Sequence, residues 1–576
     1  MRLDPIGLVM AAGLMVGAFL TAGAGNGWGE EPATDLVFYN GAIYSMDAAS
    51  TTPAAVAVSG GRIVWSGDLA GAERLAGPET RWIDLEGKTM LPGLVDAHGH
   101  LKSLGRSLAQ LQLEGTTSPA QVRDMVLEAA KHAPAGSWIQ GRGWDQNDWD
   151  LREFPTWRDL DGIGGHAVYL RRVDGHAVWV NRKALDLCGV TRDTADPEGG
   201  RIVRGPDGDP TGILIDNAAD LVSVRIPDPT PYELDRWLSS AIRHCNSVGL
   251  VGMHDAGSTA DVLESLNRIA RRGELTLHVY CMLSSEKKDL GFLTAELERG
   301  PHEEAGGMVV VRAIKLYADG ALGSRGAALL EAYSDDAGNL GLQIDSTEKL
   351  ETISKQALER GFQVCTHAIG DRGNRVILDV YESLLPANAG AERRFRIEHC
   401  QVVSPQDIQR FHKLGVIPSM QPTHATSDMY WAEARVGKER IKGAYAWRKF
   451  LDAGNRLPLG SDFPVESPNP LWGIYAAVTR QDHDGRPDGG WYPEERMTVK
   501  EAVGGFTVDA AYGEFAEDDR GTIEVGKRAD FTVIDRDIFR VSPSEILEAR
   551  VTLTVVGGRV VYEREATPSR PPKPAR

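Results

Sequence analysis

The chain has 576 residues, 42% of them hydrophobic and 25% charged, the mixture of a globular enzyme rather than of a disordered or fibrous protein. At about 150 residues per domain it has room for two to four domains. Its 63 Lys and Arg against 81 Asp and Glu leave a net charge of −18, and no run concentrates the basic residues, which excludes the clustered cationic face that nucleic acid requires.

The N-terminus is the one long apolar stretch. Arg2 precedes a run from Ile6 to Ala22, and the small residues TAGAGNG follow. This is the layout of a secretory signal peptide over residues 1–28, which predicts export to the periplasm or the medium. Interrupting glycines make a retained anchor the weaker reading, so no stable membrane span is expected after processing. Cys281, Cys365 and Cys400 lie in apolar runs and read as small buried hydrophobes. Cys188 and Cys245 could pair in an oxidising compartment, which spacing alone does not decide.

Short strands punctuated by Gly and Asp occupy 34–92, and the same texture returns in GTIEVGKRADFTVIDRD and VTLTVVGGRVVYER over 516–563. Two such sets at opposite ends predict one composite β-sandwich, because domain termini tend to lie close together. Residues 564–576 read as a disordered tail. Between the ends, 93–515, strands alternate with helical patterns. The eight strand candidates are PGLVDAHGH, GLVGMHDAG, LTLHVYCML, VRAIKLYADG, FQVCTHAIG, FRIEHCQ, GVIPSMQPTH and LPLGSDFPV. Near-continuous apolar strands alternating with helices predict an α/β fold, a (β/α)8 TIM barrel. The first crossover is several times too long, so an inserted subdomain is expected over about 106–245, roofing the barrel mouth. HAVYLRR within it is a ninth strand candidate that would shift the count.

The chemistry sits at the strand ends. His98 and His100 stand two apart at the end of the first strand, and i, i+2 side chains project to one face. Lys315 lies inside an apolar strand, where an unpaired ammonium is costly. His367, His399 and Asp462 close strands five, six and eight. In a barrel the C-terminal strand ends converge, so these six residues become neighbours. Imidazoles and a carboxylate suit zinc or another divalent ion, one or two in number. A protonated lysine cannot ligate, so Lys315 fits only as a free amine or as a carbamate bridging two metals.

With these motifs in order, DAHGHL, IKLYADGALGSRGA, THAIGDRG, RIEHCQ and GSDFPVE, the chain from about 35 to 562 resembles the amidohydrolase superfamily, specifically its amidohydrolase-3 (YtcJ-like) group. The resemblance implies a barrel with a composite β-sandwich and metal-dependent hydrolysis of a non-peptide C–N bond in a small molecule, amide, N-acyl or N-formyl. It implies His98, His100, Lys315 (carboxylated), His367, His399 and Asp462 as the metal site, with Asp462 as general base toward a metal-activated hydroxide. His176, Trp144, Asp145, Arg325 and His254 are expected to touch substrate, and Asp319 to orient a ligand. Gly99 departs from the Val or Thr that the family often carries. The same chemistry on an ester or other electrophile, or an exported binding protein without turnover, are the alternatives. Oligomeric state is left open, a homodimer included.

Overall fold

A computed structural model describes residues 34–385 and 393–565. The leader expected over 1–28 and most of the expected tail lie outside the described residues. Seven parallel strands form the central sheet: β1 (Leu94–Gly99), β2 (Leu250–Ser258), β3 (His278–Ser284), β4 (Val309–Tyr317), β5 (Gln363–Ala368), β6 (Arg396–His399) and β7 (Ile417–Ser419). All seven are nearly continuously buried, as expected of a parallel sheet covered by helices.

The eighth candidate enters as a short closing segment rather than a regular strand. It makes one parallel bridge to each neighbour, Met420 to Leu459 and Gly99 to Phe463. Backbone bonds from Ala97 N–H to the Leu459 carbonyl (3.0 Å) and from Asp462 N–H to the His98 carbonyl (2.7 Å) complete the seam. The result is a nearly closed parallel barrel.

Some of the helices begin at side-chain caps. Pro231–Ser247 starts at a capping box formed by Thr230 and Glu233, which satisfies two of the otherwise unpaired donors of the first turn. Its buried face, Leu234, Leu238, Ala241, Ile242 and Cys245, joins the barrel core. Cys188 belongs to a different core, and all five cysteines are free thiols, so the pairing of Cys188 with Cys245 is not made.

Both chain ends contribute to one five-stranded sheet, in the order Ala42–Ile43, Thr89–Pro92, Phe531–Ile534, Val551–Val556 and Arg559–Glu563. A four-stranded sheet of residues 34–84 shares its core, where Phe38 meets Phe531 edge-on at 5.3 Å. The long first crossover carries its own six-stranded sheet, running from Leu111 to Asp216, with two hydrophobic cores of its own. HAVYLRR (strand Ala167–Arg172) lies in that sheet and not in the barrel. No helix among the described residues is long and apolar enough to cross a membrane.

Candidate metal centre

His98 and His100 leave β1 at its C-terminal end, and Asp462 leaves the closing segment beside them. His100 Nε2 lies 3.0 Å from Asp462 Oδ1, and His98 Nε2 lies 3.7 Å from the same oxygen. These three residues form one group whose ligand atoms lie within 4.8 Å of one another; His399, His424 and Asp462 form a second, so Asp462 is common to both. The rings of His98 and His399 are 4.7 Å apart, and those of His367 and His399 are 4.5 Å apart. Lys315 Nζ reaches 3.1 Å from His98 Nε2. The structure therefore brings all six expected ligands to one place.

That convergence depends on two residues with left-handed backbone. Successive side chains on a strand alternate between faces. His399 has φ of 76° and Asp462 has φ of 60°, conformations that cost free energy for non-glycine residues and cluster at functional sites. At His399 the change of hand lets Glu398 and His399 both face inward.

Electrostatics favours neutral imidazoles and an ionised carboxylate. Burial, aided by the charge of Lys315, lowers the pKa of His98 to about 4 and of His367 to about 3. Burial and the neighbouring imidazoles hold His399 well below its usual value. For Asp462 burial works against ionisation, but the His100 ring 3.0 Å away and the surrounding histidines hold it well below the ordinary carboxylate range. Burial also lowers the pKa of Lys315, which favours the free amine.

Behind the ligands lies a buried polar chain. His98 Nδ1 donates to Glu398 Oε2 (2.6 Å), which fixes Nε2 as the nitrogen with the lone pair. Arg396 donates to both Glu398 oxygens (2.7 and 3.0 Å), to the Ala97 carbonyl and to His254 Nδ1 (2.7 Å). His399 Nδ1 donates to Gln421 Oε1 (2.8 Å), with the same consequence for its Nε2. A metal-ligating histidine ordinarily has such a partner on its other nitrogen.

Sequence reasoning did not single out Glu398, Arg396, Gln421, Gln401 or His424. Arg396, Glu398 and Gln401 stand inside FRIEHCQ, and Gln421 and His424 inside GVIPSMQPTH, where polar letters in an apolar run are the available signal.

The candidate substrate contacts lie elsewhere. Trp144 is fully buried in the core of the crossover sheet, its Nε1 donating to the Leu170 carbonyl. Asp145 accepts from Arg172, and His176 is an exposed hairpin residue beside Asp216. The crossover sheet explains this. It packs beside the helices Leu101–Ala109 and Pro231–Ser247, as Arg106 to Gln140 at 3.0 Å illustrates, rather than over the mouth. His254 is buried in the barrel interior between Arg396 and Glu514. Arg325 is held bidentately by Asp335. Asp319 accepts three backbone N–H groups, from Ile369, Gly370 and Ala328, and lies 3.6 Å from His367. Burial raises its pKa to about 7.

The mouth opens into a cavity of about 430 Å³ that contains His100, Lys315, His367, His399, His424 and Asp462. Its walls come from the loop after β4 (Ala321, Leu322, Gly323) and from the excursion after β7 (Asp428, Trp431). His367 Nε2 and Asp462 Oδ1 are buried without a hydrogen-bond partner. Buried polar atoms are nearly always paired, so the donor set fits an added ligand. The Nε2 lone pairs of His98 and His399 and an ionised carboxylate fit a divalent cation.

Comparison with known proteins agrees with this geometry. A family model described as "Amidohydrolase family" matches residues 81–562. The Bacillus subtilis (strain 168) protein YtcJ, named as an amidohydrolase, is 34% identical over 535 residues, 92% of this chain and 99% of its own. The N-substituted formamide deformylase of Arthrobacter pascens is 29% identical over 92% of this chain and 98% of its own. A crystal structure of an uncharacterized metal-dependent hydrolase from Pyrococcus furiosus superposes with a TM-score of 0.74 at 29% identity, covering 88% of this chain and 100% of that one.

Proposed function

This chain belongs to the amidohydrolase family, and from that premise we propose that it is a metal-dependent hydrolase cleaving a non-peptide C–N bond of a small molecule, an amide, N-acyl or N-formyl group. The observation that carries the reading is the convergence of unpaired buried His and Asp atoms on one cavity at the strand ends. His98, His100, His367, His399 and Asp462 would hold one or two divalent ions, zinc being the choice that best suits imidazole. Lys315, whose burial favours the reactive free amine, would join them as a carbamate. When bound, the metal lowers the pKa of a coordinated water and polarises the scissile carbonyl.

The chain's own groups supply the rest. Asp462 accepts the proton of the attacking water at its carboxylate and delivers it to the departing nitrogen. Glu398 and Gln421 keep the two imidazoles turned toward the cavity. Leu322, Ile369, Trp431 and Val465 form apolar walls beside the ligands, which suits an apolar N-substituent. That chemistry is compatible with the formamide activity of the Arthrobacter relative.

The Asp462→Asn enzyme should keep its metal and lose about 10²–10⁴-fold in turnover, the usual contribution of a positioned proton carrier. Metal analysis and rates on a panel of formamides, N-acyl amines and esters test this. Hydrolysis confined to esters overturns the C–N reading, and bound metal without turnover favours a binding protein. The same proposal divides the chain into a barrel (93–515, interrupted by an inserted subdomain over about 106–245) and a composite β-domain (34–92 with 516–563). It also places the protein outside the cytoplasm on the leader-like residues 1–28. N-terminal sequencing of the exported protein tests the latter.

A further inference from the structure

We propose that His424 is a catalytic residue whose Nε2–H hydrogen-bonds the carbonyl oxygen of the scissile amide and the oxyanion that develops there, and that it is not a metal ligand. The proposal rests on the reading of this site as an amide-hydrolysing centre. It uses a buried imidazole that the metal set and the proton carrier leave without a task.

His424 lies in the first turn of the helix Pro422–Asp428, just beyond β7, and lines the same cavity as His100, His399 and Asp462. Its tautomer differs from that of its neighbours. His98 and His399 each turn Nδ1 toward an acceptor oxygen, so their Nε2 atoms carry lone pairs. At His424 the partner of Nδ1 is an amide nitrogen: Gln401 Nε2 donates to it at 3.0 Å. Nδ1 is therefore the acceptor, and the ring hydrogen sits on Nε2. A nitrogen that bears a hydrogen has no lone pair to give a cation.

Gln401 is well placed to hold this arrangement. It is buried, and its backbone carbonyl accepts from the Tyr445 N–H at 2.7 Å, which fixes the point from which the side chain reaches His424. The stacked rings of His399 and His424 lie 6.0 Å apart, so the lone pair and the N–H face one cavity from adjacent positions. His424 Nε2 is buried without a hydrogen-bond partner, and Asp462 Oδ2 lies 3.8 Å away, beyond bonding distance. A buried unpaired N–H beside the proton carrier is a donor awaiting an acceptor.

The chemistry of amide hydrolysis supplies that acceptor. The water oxygen adds to the carbonyl carbon, and the C=O π pair moves onto the oxygen facing Nε2–H. The C–N bond then breaks, the pair returns to re-form C=O, and the nitrogen leaves with the proton that Asp462 carried. His424 keeps its hydrogen throughout. A fixed donor aimed where charge develops strengthens its bond in the transition state, which is how such groups accelerate acyl transfer.

Two variants of the zinc-loaded enzyme test the assignment, with N-butylformamide and N-acetylaniline as substrates. The His424→Ala enzyme should retain wild-type zinc stoichiometry while kcat falls about 10²–10³-fold, the loss seen when one oxyanion donor is removed. In Gln401→Glu the carboxylate should draw the hydrogen onto Nδ1, and kcat should fall with zinc content unchanged. Nitrogen NMR of the His-labelled zinc enzyme should show a ring hydrogen on Nε2 of His424. Zinc loss in His424→Ala, a hydrogen on Nδ1 in the wild type, or an unchanged kcat would each overturn the proposal. If the wild-type enzyme hydrolysed no amide at all, the parent reading would fall and the catalytic role with it. The NMR measurement would still report the tautomer separately.

Discussion

Glu398 and His399 are chain neighbours that both face the barrel interior, and the left-handed backbone at His399 is what permits it. Glu398 is fully buried, anionic against its own burial because Arg396 pairs with it, and bonded to His98. Its removal as a charge should loosen the His98 orientation. The Glu398→Gln variant should bind zinc about 10–100-fold more weakly, the usual effect of losing such a partner, as measured by chelator competition. Unchanged affinity would mean that the ring is held by packing alone.

The depressed imidazole values set the pH range of metal retention. A histidine binds metal only when neutral, and His98 and His367 stay neutral down to about 4 and about 3. Protons should therefore begin to displace the metal only as pH falls below about 5, well under the ordinary imidazole value of about 6.5. Metal content across a dialysis series from pH 7.5 to 3.5 checks this, and release centred on pH 6.5 would refute it. The six expected ligands are legible in the sequence because they stand in or at the ends of apolar strands. Glu398, Gln421 and His424 are not, because their task is defined by what they touch across strands, which spacing does not encode. Trp144 and His176 misled for the converse reason: a core tryptophan and a hairpin histidine carry the same letters as pocket residues.

Among the elements, the seven regular strands follow from apolar runs that a parallel sheet buries on both faces. The eighth was read from the same signal, but LPLGSD closes the barrel differently. Asp96 inserts its carboxylate at the seam, accepting from Ser461 N–H and Oγ and from His98 N–H. Side-chain bonds thus replace part of a ladder, an exchange that periodicity cannot reveal. The seam is also tight. A Cβ on Gly99 would come within 2.5–2.8 Å of the Phe463 ring carbons, and Phe463 is fully buried. A valine at the middle of the HxH motif should therefore be costly here. Gly99→Val should destabilise the protein by about 1–3 kcal/mol through overpacking, read as a lower denaturation midpoint. A midpoint equal to wild type would show that the Phe463 ring moves freely.

At the scale of the whole molecule, the strands Thr89–Pro92, Phe531–Ile534 and Val551–Val556 meet at the bottom of the barrel, opposite the candidate metal centre. The junction is polar and buried. Thr532 Oγ1 accepts from the Leu94 N–H (3.1 Å) at the start of β1 and donates to the Gly249 carbonyl (2.7 Å) just before β2. Thr554 Oγ1 donates to the Asn246 carbonyl (2.7 Å). The Thr532 hydroxyl thereby satisfies two backbone groups at the entry to β1 and β2, and the barrel cannot separate from the five-stranded sheet without exposing or orphaning them. The crossover sheet differs, since its two cores are self-contained. Barrel and five-stranded sheet should consequently unfold as one cooperative unit, with the crossover sheet free to open separately. Thr532→Val keeps the shape and deletes the hydroxyl, leaving a buried N–H and a buried carbonyl without partners, at about 1–3 kcal/mol for each group. Hydrogen exchange followed by peptide mass analysis should show β1, β2 and the Phe531–Ile534 strand losing protection together in this variant, while Ala167–Arg172 keeps its wild-type rate. Loss of protection confined to the C-terminal strands would show that the two ends are docked rather than co-folded.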